Sequence, residues 1–229
     1  MTTFKQVLLE IRRFSNLGLH DSAVLLGSFA VNLSEPGQSR ALALVAWGHA
    51  LREDGQNKRA LQVYNEALHE ISRFESTNIS SLGEEFSIIE DDENDATQDE
   101  LNEDPSVFFD QKKRPRRANA IRSVGSFVAM IKFRMAQCYV SLKQEETAIC
   151  TLESVPIDDL PGAGLALLGK LKRRAGSKGS LEIFKKMLAK EPFALEVILN
   201  ALEMEVNVKE ILQQITLDGK RKLPEWMIH

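Results

Sequence analysis

The chain has 229 residues, 43% of them hydrophobic and 27% charged, with a formal net charge of −4. This composition suits one or two folded domains with a buried core. No apolar run approaches the ~18 residues that a membrane helix needs, and Lys5, Glu10, Arg12 and Arg13 interrupt the segment where a secretory signal would be apolar. The two cysteines, Cys138 and Cys150, fit a reduced compartment rather than a disulfide framework. The expected location is nucleus and cytoplasm, and the sequons at Asn32 and Asn78 are read as chance matches.

Apolar residues recur at the helical period along most of the chain, without convincing strand alternation. The first helical pair spans Phe4 to Ala30. Val7, Ile11 and Phe14 share a face of its first segment, Gly18 breaks the pattern, and a second segment carries Ala23 and Gly27. The next pair is more telling. Counting from Ala41 as position 1, large residues stand at positions 4, 7, 11 and 24 (Leu44, Trp47, Leu51, Tyr64). Small ones stand at 8, 20 and 27 (Gly48, Ala60, Ala67), and Gly55 falls in the turn. Small residues let two helices cross closely while large ones fill the space left beside the crossing. This is the pattern of the tetratricopeptide repeat, a helical hairpin recurring every ~34 residues. In that frame the N-terminal pair is degenerate, since Gly27 stands where a large residue belongs.

From Glu84 to Asp104 the chain carries eleven acids and no Lys or Arg, so the remainder holds 29 bases against 22 acids. The stretch from Ser76 to about residue 118 lacks a helical period and buries too little apolar surface to offset its ordering entropy, so it is expected to be disordered. It ends in Lys112, Lys113, Arg114, Pro115, Arg116 and Arg117. This cluster reads equally as a nuclear import signal or as a counter-charge to the acidic run. Elsewhere Lys and Arg alternate with acids along helices, which reads as a solvated face, so neither nucleic acid nor membrane is expected as a partner.

The pattern resumes near Ala129, with Met135, Ala136, Tyr139, Ala148 and Leu152 in place, Lys132 at position 4 and Val155 at position 27 as weaker fits, and Pro156 after the last turn. A third full unit shows Leu168, Gly169, Gly176, Ser180, Phe184, Met187 and Pro192, but its two ends align only with one residue fewer in the turn. There Lys172 occupies the usual aromatic position. A helix from Phe193 to about Met204 would open a further unit. The expected organisation is therefore an all-α tetratricopeptide-type solenoid of antiparallel hairpins: residues 1–72 two hairpins, 73–120 the acidic then basic insert, 121–215 two more repeats and a partial one, and 216–229 a tail entering another repeat.

No catalytic constellation emerges. His20, His49, His69 and His229 show no metal-ligand spacing, and no cofactor or metal is expected. Tetratricopeptide arrays bind extended peptides along their first helices, which makes His49, Arg134, Gln137 and Lys170 groove candidates. The Lys and Asn pair that clamps a chaperone tail's carboxylate at positions 5 and 9 is replaced by Leu8 with Arg12, Val45 with His49, Phe133 with Gln137, and Ala166 with Lys170.

Gly18-Leu19-His20, the run from Lys132 through Tyr139, Leu142-Lys143-Gln144, and the run from Pro192 through Leu199 together resemble the family of anaphase-promoting complex subunit seven, in its N-terminal part. The resemblance covers most of the chain outside the insert. It implies a non-catalytic scaffold within a mitotic ubiquitin ligase, forming homodimers through its N-terminal repeats and packing against other tetratricopeptide subunits. Family members continue through many more repeats, so this chain, which stops at His229, is expected to be a fragment or a short isoform. An uncovered terminal hairpin directs the self-association expectation to Val7, Leu8, Ile11, Phe14, Leu25, Leu26 and Phe29. The alternative reading is a free-standing adaptor that takes peptides in its groove.

Overall fold

The computed structural model describes residues 4–74, 124–177, 179–190 and 195–203. Within them lie nine helices: α1 (Phe4–Asn16), α2 (His20–Leu33), α3 (Gln38–Glu53), α4 (Asn57–Phe74), α5 (Val124–Ser141), α6 (Glu145–Glu153), α7 (Gly162–Arg174), α8 (Ser180–Lys190) and α9 (Leu195–Leu202). The acidic insert, the Lys112 to Arg117 cluster, Pro192 and the tail lie outside the described residues. The helices fall into two compact units divided inside α5, between Ile131 and Lys132.

Four helical pairs turn by one device. Each first helix ends on a residue with positive φ: Gly18, Gly55, Lys143 and Gly176 at 72°, 78°, 63° and 69°. The next amide then reaches back five residues. Leu19 donates to the Phe14 carbonyl at 2.8 Å, Gln56 to Leu51 at 2.8 Å, Gln144 to Tyr139 at 2.9 Å and Ser177 to Lys172 at 2.9 Å. The positive-φ residue itself donates three residues back in every case. This double bond is the Schellman cap, which satisfies carbonyls that the helix end would otherwise orphan. Glycine adopts the left-handed backbone freely. Lys143 does so at a steric cost of roughly 1–2 kcal/mol.

In the first unit, α1 packs on α2 and α3, α2 on α3, and α3 on α4. Helix α3 is therefore surrounded, and nine of its residues are buried on all sides of its axis, among them Leu42, Leu44, Ala46 and Leu51. Gly48 marks the crossing with α4. A Cβ there would stand 2.7 Å from Tyr64 Cε1, so the ring lies directly on the glycine backbone. Tyr64, Ala60 and Ala67 are fully buried around it. Trp47 is half-buried and faces the other way, toward α2. A Cβ on Gly27 would lie 2.7 Å from Trp47 Cδ1. The glycine that made the first hairpin look degenerate is thus the seat of the next repeat's tryptophan. At the start of α3, Glu70 from α4 is buried and accepts the Gly37 N–H at 2.8 Å. A carboxylate beside a helix N-terminus meets both an orphan donor and the positive end of the helix dipole.

In the second unit, α6 packs on α7, α7 on α8, and α8 on α9. The glycine-aromatic contact recurs, because a Cβ on Gly169 would stand 2.3 Å from Phe184 Cε1. Ala136, Ala148, Leu152 and Phe184 are fully buried, whereas Tyr139 is only half-buried.

Two predictions follow from these contacts. Gly48→Ala should lower stability by about 1–3 kcal/mol through overpacking, read as a reduced urea midpoint, and pairing it with Tyr64→Leu should cost less than the two changes summed. Lys143→Gly should stabilise the fold by roughly 0.5–1 kcal/mol, since relief of the left-handed strain exceeds the added unfolded-state entropy, whereas Gly55→Ala should destabilise it by about 1 kcal/mol.

Candidate functional site

The packing above decides which side chains remain free to meet a partner. Along α1, Leu8 and Ile11 are each 2% exposed and fill the interior of their own unit. They are thereby removed from the outward face to which the terminal-hairpin expectation assigned them. Positions three apart on a helix share one face, and on α1 that face is claimed by α2 and α3. Val7, Phe14 and Leu26 are half-buried.

The second helix of this pair differs. It is apolar nearly all round, and its small residues Ala23, Gly27 and Ala30, with Val31, are the ones buried. Its large residues point outward: Leu25, Phe29 and Leu33 are 59%, 53% and 84% exposed. Spaced at i, i+4 and i+8, they form a stripe along one side of α2. Leu9, Leu17 and Leu19 are also exposed on the same hairpin. Isolated surface leucines need no explanation, but a row of this kind marks an interaction surface. Leu33 was missed at the sequence level because it lies at the helix end. Its signal was an apolar residue four beyond Phe29.

The groove candidates separate between the units. His49 is half-buried on α3, its Nδ1 3.6 Å from the Glu53 carboxylate, which Arg52 also contacts. In the other unit Arg134 and Gln137 come together. Arg134 is 9% exposed as a residue, and its guanidinium lies 5.6 Å from the Phe133 ring centroid and donates to Gln137 Oε1 at 3.4 Å. Stacked and bonded in this way it is a rigid, preorganised cation. Lys170 is half-buried on α7.

Among the described residues, no group of three or more His, Cys, Asp or Glu could hold a metal ion, and no helix is long and apolar enough to cross a membrane. Cys138 is buried and Cys150 exposed, and neither is in a disulfide. What the described residues offer is a set of surfaces on stacked helical hairpins, which defines a tetratricopeptide-type repeat protein.

No family model matches the chain. Over 212 residues, 89% of its length, it is 26% identical to anaphase-promoting complex subunit 7 of Arabidopsis thaliana. Over 100 residues, 42% of its length, it is 30% identical to the Homo sapiens protein of that name and 29% identical to the one from Mus musculus. The chain spans a third of the length of the plant relative (33%) and 18% of the human one. Two crystal structures of a Podosopora anserina protein with nearly identical TPR-like repeats superpose with a TM-score of 0.53, covering 92% and 97% of this chain at 14% identity. At that identity the likeness is one of fold. The chain is thus similar to anaphase-promoting complex subunit 7 over most of its length, on a tetratricopeptide-type repeat fold.

The division between buried and outward leucines is open to a direct check. Ile11→Asp should cost more than about 3 kcal/mol by burying an unpaired charge. Leu33→Asp, on the exposed stripe, should change the monomer's stability by less than about 0.5 kcal/mol. Urea unfolding followed by circular dichroism at low protein concentration separates the two.

Proposed function

We propose that the chain is a non-catalytic scaffold segment that self-associates through the outer side of its first hairpin and docks other tetratricopeptide subunits of an anaphase-promoting complex-type ubiquitin ligase. The observation that carries the reading is the stripe of Leu25, Phe29 and Leu33, which α2 presents while its small residues serve the interior. A self-complementary apolar face is what an isologous dimer requires, because each residue of the patch meets its counterpart's neighbour across a two-fold axis. Burying such side chains is worth about 1.5–3 kcal/mol each, which makes the stripe the natural core of the contact. The likeness to subunits named for the anaphase-promoting complex supplies the assembly, and with it a role in mitosis and cell division at the level of ubiquitin conjugation. Transfer chemistry is assigned to other subunits, in the nucleus and the cytoplasm.

An adaptor role is the second reading. It is favoured by the guanidinium of Arg134, stacked on Phe133 beside Gln137, which suits a carboxylate or a backbone carbonyl of a bound peptide.

Sedimentation velocity tests the scaffold reading. The wild-type chain should sediment as a dimer at micromolar concentration, Phe29→Asp with Leu33→Asp should shift it to monomer, and Phe14→Asp should weaken it less. A monomeric wild type would refute self-association. Affinity capture from cells then tests docking. Other ligase subunits should co-purify with the wild type, and enrichment of short linear motifs from unrelated proteins alone would favour the adaptor.

A further inference from the structure

Arg12 and Arg13 are followed by Phe14 and then Ser15. Nowhere else among the 229 residues do two consecutive Lys or Arg stand three and two places before a Ser or Thr. Basophilic protein kinases select this spacing, because carboxylates in their substrate cleft accept the two guanidinium groups and so set the hydroxyl against ATP.

The fold puts this motif where a kinase can reach it. Ser15 is half-buried in the last turn of α1, which ends one residue on, at Asn16. The Arg13 side chain is 68% exposed and meets Glu10 at 3.5 Å, a surface pair of little strength. Beyond the helix end the chain is open, since Leu17 and Leu19 are 61% and 49% exposed and Gly18 between them is exposed too. A kinase takes its substrate in an extended conformation, so the last turn of α1 must open for the transfer. Its lock is the cap already described, in which Gly18 donates to the Ser15 carbonyl at 3.0 Å and Leu19 to the Phe14 carbonyl at 2.8 Å. An end turn held in this way opens at a fraction of the free energy of global unfolding.

We propose that Ser15 is a phosphorylation site for a basophilic protein kinase, and that a phosphate there unlocks the turn between α1 and α2. In the transfer Ser15 Oγ attacks the γ-phosphorus of ATP and its proton passes to the kinase's catalytic aspartate. The bond to the β,γ-bridging oxygen breaks and ADP leaves. The product carries about two negative charges near neutral pH. They stand at the negative end of the α1 dipole, beside the carbonyls that Gly18 and Leu19 cap. Arg12, three residues back, offsets only part of that repulsion. Modification therefore weakens the cap and loosens the entry of Leu17 and Leu19 into α2. The site lies on α1, apart from the α2 stripe, so it adds a control point to the scaffold and does not depend on self-association.

Incubation of the full chain with magnesium ATP and the catalytic subunit of cAMP-dependent protein kinase, a basophilic enzyme, tests the assignment. Tandem mass spectrometry should place phosphate on Ser15. Arg13→Ala, a change to an exposed side chain, should lower the initial rate at Ser15 at least about tenfold. Gly18→Ala strains the cap at its φ of 72°. It should raise the same rate about fivefold or more, because the open turn is the substrate. Hydrogen exchange at the Gly18 and Leu19 amides, followed by NMR, should run at least about threefold faster in the phosphorylated chain. The Ala60 and Tyr64 amides of α4 should keep their protection, which separates local opening from unfolding. The proposal is overturned if Ser15 stays unmodified, if phosphate appears at Ser177 or elsewhere in its place, if the rate ignores Arg13→Ala or Gly18→Ala, or if exchange at Gly18 and Leu19 is unchanged by the phosphate.

Discussion

An aromatic ring laid on a glycine is the contact from which each well-formed hairpin is built. Tyr64 covers Gly48 and Phe184 covers Gly169, and in both cases no room exists for even a methyl group. The glycine lets the two helices approach, and the ring fills the wedge that their crossing opens. Both partners are needed. A larger residue in place of the glycine would hold the helices apart, and a smaller one in place of the ring would leave a cavity. In the pair between them, α5 and α6, Ala136 and Leu152 stand at the corresponding positions, and both are completely buried.

The turns complement this contact by fixing where each second helix begins. In the first three pairs the Schellman geometry starts the second helix two residues after the positive-φ residue, even where Lys143 must adopt a backbone conformation that glycine takes at no cost, while in the fourth pair α8 begins four residues after Gly176. In the third full unit the spacing between glycine and ring is 15 residues rather than 16, and Ser180 takes the buried small position that Ala60 holds in the first. The ring still lands on its glycine. The packing requirement, not the residue count, is what the repeat preserves.

Surfaces arise where that packing is left incomplete. On α2 the small residues face inward because Trp47 of α3 needs Gly27 beneath it, and the large residues are consequently turned out. At the end of α6, the helix stops at Glu153, and Lys172, in an aromatic position, pairs with that carboxylate. Both are local exceptions to the repeat pattern, which is where binding function is expected on a scaffold whose regular positions are committed to its own interior.

The amino-acid order by itself determined the helical hairpins, the Ala41 register with Gly48, Ala60, Tyr64 and Ala67 in their places, and the missing turn residue before Ser180, because close helix crossings demand small and large residues at set intervals that can be read off one strand of text. It also carried the resemblance to subunit seven. It did not determine which side of the first hairpin faces outward. Leu8 and Ile11 read as well as Leu25 and Phe29 for an outer face, since an amphipathic stripe shows that one side is apolar but not which neighbour covers it. Only the tertiary structure decided that, through contacts between residues far apart in sequence: α3 claims the α1 face, Trp47 claims Gly27, and Lys172 is drawn to Glu153. Periodicity is a property of one helix, whereas exposure is a property of the pair.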